Sequence, residues 1–456
     1  MNYPKCLLLA GLAVLGLTVP VPAADYYVTA RGAGARTGRS WTRCLAFSTI
    51  QDVLNRTMKP GDTVHVGGGV YGRVQLVIDS SGAPGSPKTI VGEDCGQGPP
   101  LLGPTDEEWM NWGQFGILIK SGSSHWVIRN LGFRLYAEPT VCTEGGHTGL
   151  VFDNLRATRC YTGFKLADCH ETVLRNCFAS RYSQQGFLFV KHCARVTVKN
   201  CQADGTPQEA ARADVSQVGF QCGGSKDAAS DGNAYLTFED CVSRNNLETD
   251  RKQSWVQGDG FVAERSNRHL TFRRCRSFNA SDGCFDLKAE IDEFADCVAV
   301  GPARCFKLWS QTMTMTNCIA VLTEGGRFRM TGTRCALEVN NRGKNGPLGG
   351  RITAQSCTFH VRSPVPAIWG ESGRATLNDC ILCLPDAQGR DGAAEPHERD
   401  VTVTYNRTAI HREAMKSNPA RFLNPAPDWD GTGGNYDSRT YGVSKGYHSS
   451  RVAKPH

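Results

Sequence analysis

The stretch that decides the architecture is residues 171–203, "ETVLRNCFASRYSQQGFLFVKHCARVTVKNCQA". One frame occurs in it twice. "TVLRNC" (172–177) and "VTVKNC" (196–201) each alternate apolar and polar residues, then place Asn before Cys. Between them lies a second apolar run, "QQGFLFV" (184–190). Period-two alternation describes strands, because successive side chains of a strand point to opposite faces.

The same frame runs through most of the chain. Its polar slot falls at Asn130, Asn154, Asn176, Asn200, Asp240, Arg274, Asp296, Asn317, Ser356 and Asp379. The regular steps between these positions are about 22 residues, a period in the range of solenoid repeats. The longer steps must carry loops. The second strand recurs as "GFKLAD" (163), "GFLFVK" (186), "GFQCGG" (219), "GFVAER" (260), "CFDLKA" (284) and "CFKLWS" (305). Units of this length, with short strands and glycine turns, indicate an all-β chain wound as a single parallel β-helix solenoid. Each coil would stack on the last at ~4.8 Å between strands. A propeller blade needs roughly 40 residues and does not fit. The reading places an internal asparagine ladder at Asn130, Asn154, Asn176 and Asn200. "FSTIQDVLNRTMKPGDTVHVGGGVYG" (47–72) predicts an N-terminal capping helix followed by a strand, which would cover an otherwise open sheet edge. Near residue 384 the repeat fades into an irregular C-terminal tail expected to pack on the solenoid, with a loose end. The expected division is thus 1–24 leader, 25–383 solenoid with its cap, and 384–456 tail.

Positions 1–24 read as a secretory leader: Lys5, then "CLLLAGLAVLGL", then small residues before Asp25. No later run reaches the ~18 apolar residues of a membrane helix. The expectation is a secreted monomer, periplasmic or extracellular, with no membrane partner. The formal charge of +7 is a mild excess that would draw acidic polymers. No nucleic-acid motif or basic helix accompanies it. Without Cys6 the chain keeps 19 cysteines, an odd number. Those next to the polar slot read as small, buried ladder residues. Cys44, Cys95, Cys142, Cys160 and Cys169 lie off that ladder and could include a bridge. Cys380 and Cys383 have no matching pair, so a zinc site is not indicated.

The chemistry lies in the second strand. Its phenylalanines point inward, so the next residue points outward: Lys165, Leu188, Gln221, Val262, Asp286 and Lys307. Asp286 and Lys307 should be neighbours on adjacent coils. Asp259 and Asp282 fall at the turns entering this part of the stack. A surface ion pair alone would account for Asp286 and Lys307, but not for two further aspartates in line with them. Clustered carboxylates on a rigid scaffold suit Ca²⁺. A lysine beside such a cation has a lowered pKa and can act as a base. Arg304, Arg327 and Arg329 are candidates for binding a sugar carboxylate, and Trp255 and Trp309 for stacking on sugar rings. Lys288 competes with Lys307 but is expected to alternate inward or toward the turn. Glu264 and Glu290 read as solvated turn acids.

Three motifs resemble polysaccharide lyase family 9, the calcium-dependent pectate lyases of right-handed parallel β-helix fold. "GDGF" (258–261) is similar to the family's "ADGF", "SDGCFDL" (281–287) to its "SDDGWDL", and "CFKLW" (305–309) to its "GFKLG". The resemblance implies Asp259, Asp282 and Asp286 as calcium ligands and Lys307 as the catalytic base. It implies β-elimination on an acidic, uronic-acid-containing polysaccharide such as pectate. Gly283 stands where the family has a second aspartate, so one ligand of the family set is missing; a main-chain oxygen, water or Glu264 could take its place. A C5-epimerase, which abstracts the same proton but leaves the chain intact, and a non-catalytic polysaccharide-binding protein are the alternatives.

Overall fold

The computed structural model describes residues 22–111, 113–205, 216–223, 232–248, 257–323, 333–340, 342–343, 346–347, 350–362, 365–385 and 401–413. Three long sheets run through it. Sheet A has 15 strands, sheet B 13 and sheet C 11. Neighbours in each sheet come from successive turns of the chain, and every pairing within the three sheets is parallel. One coil therefore contributes a strand to C, then A, then B. Gly283–Leu287, Ile291–Ala295 and Val298–Gly301 form one such coil. This is a parallel β-helix, as the repeat of the polar slot predicts.

The inside is filled by like side chains stacked on like. Phe164, Phe187, Phe220, Phe261, Phe285 and Phe306 form one column with ring centroids 4.7–5.1 Å apart and planes within 9° of parallel. Phe238, Phe272 and Phe294 form a second column, edge-on to the first. Slipping a strand by one residue would turn its phenylalanine outward, so these columns lock the register.

The corner between sheets A and B corrects one expectation. Its polar slot is left-handed in every regular coil, from Asn130 (φ 60°) to Asp379 (φ 50°). Asn and Asp tolerate that conformation better than other non-glycine residues. The turn throws their side chains outward, so the asparagine ladder is external. Asn154 donates to Asn130 Oδ1 at 3.0 Å and Asn200 to Asn176 Oδ1 at 2.8 Å, at exposed positions. The cysteine that follows turns inward. Cys177, Cys201, Cys241, Cys275, Cys297, Cys318, Cys357 and Cys380 make a buried column of thiols. Each donates to the carbonyl two residues back, at 3.2–3.5 Å. All 19 described cysteines are free, including those considered for a bridge. A buried asparagine pair does exist elsewhere: Asn233 donates to Asn267 Oδ1 at 2.8 Å.

The N-terminal cap is a short helical segment, Phe47–Thr57, of which only Ile50–Asp52 is regular α-helix. Phe47, Ile50, Val53 and Leu54 join the core. Gln51 and Asn55, one turn apart, point at the first strand of sheet C. Their side chains bond to Gln75 O, Val77 N, Val77 O and Asp79 N at 2.8–3.2 Å. Two amides thus occupy the hydrogen-bonding places of a missing strand and close the edge. At the other end the solenoid continues past residue 383. Thr402–Asn406 pairs with Arg374–Asn378, and Ala409–Glu413 with Ile381–Pro385. The alternation persists there without the Asn–Cys signature, with Arg407 and Thr408 in those places, which is why the frame is hard to see. Residues 1–21, most of the expected leader, lie outside the described residues. No described helix is long and apolar enough to cross a membrane.

Candidate functional site

Four successive strands of sheet C build the site: Phe261–Ala263, Gly283–Leu287, Arg304–Leu308 and Cys335–Asn340. Phe261, Phe285, Phe306 and Leu337 share the inward register. The outward register is then Val262, Asp286, Lys307 and Glu338. The inner aromatic column therefore fixes which charges face each other outside. At the turn entering these strands, Gly258 takes φ 109° and Asp259 follows it. Asp259 Oδ1 accepts a bond from Gly283 N at 2.9 Å. Ser281 Oγ ties the turns together, donating to Gln257 O at 2.7 Å and accepting from Glu248 N at 2.9 Å.

Asp259, Asp282 and Asp286 each offer a carboxylate oxygen within 4.8 Å of the others, and all three are buried. Lys307 Nζ lies 2.9 Å from Asp282 Oδ2 and 2.8 Å from Asp286 Oδ2. Around them stands a wider set. Lys288 Nζ is 3.3 Å from Asp286 Oδ1 and 3.6 Å from Glu264. Arg304 pairs with Asp282 and, at 2.7 Å, with Glu338. Trp309 Nε1 donates to Glu338 at 2.8 Å, and its ring lies 5.3 Å from Lys307 Nζ.

The electrostatics follow from this crowding. Burial, then Asp282 and Asp286, push Asp259 well above the ordinary carboxylate range. For Asp286, burial raises the pKa, but Lys288 and Lys307 outweigh it and hold the group down at about 2. For Lys307, burial works downward, but Asp286, Asp282 and Asp259 outweigh it and raise the pKa well above the usual lysine value. The lowered value expected from the sequence applies to a lysine beside a bound cation; this direction is that of the side chains alone. Facing these carboxylates, Lys307 is an ammonium; a further positive charge beside it would lower its pKa.

The residues fit such a charge. Taken as ionised, five carboxylates (Asp259, Glu264, Asp282, Asp286, Glu338) face three cations (Lys288, Arg304, Lys307), an excess of two. Asp286 Oδ1 is buried, with the Lys288 ammonium at 3.3 Å but no well-aligned hydrogen bond. A hard divalent ion such as Ca²⁺ takes oxygen donors of this kind. Gly283 does not supply a ligand side chain. A Cβ there would sit 3.2 Å from both Asp259 Oδ1 and Asp286 Cβ, and its N–H holds Asp259 instead.

The structure thus brings together Asp259, Asp282, Asp286 and Lys307. It changes the reading of three neighbours. Arg304 is not a free substrate-binding arginine: it is 8% exposed and committed to Asp282 and Glu338. Lys288, just past the strand's last residue Leu287, does not turn inward but joins the same outer cluster. Glu264 is partly buried beside Lys288, whereas Glu290 pairs with Arg268 nearer the surface. Trp309 stays beside the amines, its N–H tied to Glu338. Arg327, Arg329 and Trp255 lie outside the described residues. Glu338 itself escaped the sequence reading. Its strand, "CALEVN", has Leu337 where the other strands have phenylalanine; aligning it with "RCFKLW" by alternation alone would have found it.

A family model described as a right handed beta helix region matches residues 106–234. The fold is a right-handed parallel β-helix. Among solved structures, the chain is similar to pectate lyase Pel9A at 12% identity and TM-score 0.42, over 85% of this chain and 79% of that one. It is similar to an alginate lyase from Paenibacillus sp. str. FPU-7 at 12% identity and TM-score 0.39, over 84% and 99%. It is also similar to the A-module of the Azotobacter vinelandii mannuronan C-5 epimerase AlgE4 at 12% identity and TM-score 0.38, over 78% and 91%. No curated protein sequence matches it. The chemistry is therefore read from the site's own residues.

Proposed function

We propose that the protein is a polysaccharide lyase that cleaves an acidic, uronic-acid-containing polysaccharide by β-elimination, with Lys307 as the base. The observation that carries this reading is the position of Lys307 Nζ, held 2.8–2.9 Å from Asp286 and Asp282 at the outward slot of a rigid rung. A base in that place can meet a polymer lying along the coils. Lys307 takes the proton at C5, the C5–H electron pair forms the C4–C5 double bond, and the C4–O bond breaks. The leaving oxygen is protonated by water, and Lys307 returns its proton to solvent. Asp259, Asp282 and Asp286 would hold Ca²⁺, which when bound supplies charge to offset the aspartates and to attract the sugar carboxylate. Trp309 and Arg304 shape the site: Arg304 orients Asp282, and Trp309 borders Lys307. The leader-like N-terminus supports export, where such polymers are met.

The test is ultraviolet absorbance of a panel of uronic-acid polymers incubated with the protein, with Ca²⁺ and with chelator. A rise on one polymer reports the 4,5-unsaturated product. No rise on any polymer would sink the lyase reading. Proton exchange at C5 without cleavage would then favour an epimerase, and binding without either would favour a non-catalytic protein.

A further inference from the structure

At the N-terminal end of the solenoid one carboxylate is held where the chain enters the fold. "KPGD" (59–62) is a tight turn with proline second and glycine third. Asp62 N donates to Lys59 O at 3.1 Å, and Gly61 takes the φ of 95° that this turn asks of its third residue. The turn fixes the Asp62 carboxylate, which is buried. Its Oδ2 accepts from Lys59 N at 2.8 Å and its Oδ1 from Ala24 N at 2.7 Å. Ala24 is held by its carbonyl as well, which accepts from Thr63 N at 2.9 Å, and it packs against the core. Pro22 and Ala23, just before it, are exposed. The fold therefore grips the chain from Ala24 onward. Asp62 meets main-chain N–H groups, while the nearby cation, Lys88, donates to Ser80 Oγ at 2.9 Å. A buried carboxylate gains most from a donor that is itself charged.

We propose that the leader is cut between Ala23 and Ala24, one residue before the end of the 1–24 leader expected from the sequence, and that the α-ammonium released on Ala24 pairs with Asp62. This rests on the leader reading of the N-terminus and not on the lyase reading. A leader peptidase reads the first and third residues before the bond it cuts. Before Ala23–Ala24 these are Ala23 and Val21; before Ala24–Asp25 they are Ala24 and Pro22. Proline has no N–H to give and a fixed φ, so it suits a segment bound as an added strand poorly, whereas valine suits it well. Cleavage precedes folding, so the sequence selects the bond and the fold then receives the new end. Water adds across the bond: Ala23 ends the leader as a carboxylate and Ala24 begins the remaining chain as an ammonium. The bond from Ala24 N to Asp62 Oδ1 is then made by a charged donor, and a buried negative charge gains its counter-charge. A cut after Ala24 would remove both bonds that Ala24 makes. It would leave Asp62 Oδ1 and Thr63 N without these partners, at the cost of unpaired polar groups.

The cut is tested by expressing the full chain with its own leader in a secreting bacterial host and reading the product by N-terminal sequencing and intact mass. One species beginning Ala-Asp-Tyr-Tyr is expected. A start at Asp25, any other start, or a chain that keeps its leader overturns the proposal. The pairing is tested on the chain from Ala24 to His456, freed from a cleavable N-terminal fusion so that export is not needed. Placing Gly-Ser ahead of Ala24 turns the ammonium back into an amide and should speed unfolding in urea several-fold. In Asp62→Asn, which keeps an acceptor for Lys59 N, the same extension should change the rate little. An extension that is harmless in the native chain, or equally harmful in Asp62→Asn, overturns the pairing. A second readout needs no variant at Asp62: the α-amine of Ala24 should react with an acylating reagent near neutral pH roughly tenfold more slowly than that of the Gly-Ser chain. Equal reactivity overturns the pairing too. None of these readouts depends on turnover, so this inference and the lyase reading stand or fall separately.

Discussion

Two stretches of sheet C share one backbone and differ in what they show to solvent. In the coils of Phe164, Phe187 and Phe220 the outward slot holds Lys165, Leu188 and Gln221, partly exposed and without an acidic cluster around them among the described residues. In the coils of Phe285, Phe306 and Leu337 it holds Asp286, Lys307 and Glu338, drawn into a mostly buried knot of opposite charges. The inner column barely changes, with phenylalanine rings 4.7 Å apart in the first stretch and 5.1 Å in the second. The inward slots hold the coil together, and the outward slots are free to differ. A solenoid can therefore place reactive groups on chosen rungs with little loss to the fold.

This contrast can be broken most directly at Lys307. Lys307→Ala should lower turnover more than about 10³-fold, while circular dichroism and cooperative unfolding stay native. In the same variant Ca²⁺ should bind more tightly by calorimetry, because an ammonium no longer competes for Asp282 and Asp286. Weaker binding would mean that Lys307 organises the acids rather than opposing the cation. On the inner side the order of effects reverses. Phe187→Ala, far from the site, should cost about 3–5 kcal/mol in urea unfolding yet leave turnover per folded molecule unchanged.

A third variant tests an acid on the inside. Asp292 is fully buried in sheet A, with Ser310 donating to Oδ2 and Oδ1 lacking a hydrogen bond. Burial pushes its pKa up to about 7. A carboxyl raised above its unfolded value of ~3.9 favours folding most below pH ~4, and that contribution is lost as pH rises towards 7. Asp292→Asn should therefore flatten the stability profile between pH 4 and 7. It should also raise stability at pH 8 relative to pH 4, by up to about 4 kcal/mol against wild type. Asp286→Asn, with the opposite shift, should weaken Ca²⁺ binding about tenfold or more by calorimetry. The smallest effect belongs to the plain stretch: Lys165→Ala should change stability by less than about 0.5 kcal/mol and turnover not at all.

The coil was legible because its periods are local. Alternation, the Asn–Cys corner and the phenylalanine slot all repeat once per coil, so they give the strands, the register and the adjacency of Asp286 to Lys307. What stayed hidden depended on direction at a corner or on partners a coil away. The asparagine ladder faces outward because the slot is left-handed, which alternation does not encode. Arg304 reads as an exposed arginine until Glu338, distant in the chain, arrives one rung above. The charge state of Lys307 depends on three carboxylates at once, so a cation inferred from any one motif could not decide it.

The thiol column at the corner has a practical consequence. Among the 19 described cysteines only Cys95 is exposed, and the rest are sealed between rungs. Among the described cysteines, an alkylating reagent therefore labels Cys95 alone in an intact molecule. When a molecule opens, the sealed thiols become reactive together, up to all 19 described cysteines. Intact mass alone then counts how many molecules have come apart during an incubation, whatever substrate, metal or pH accompanies it.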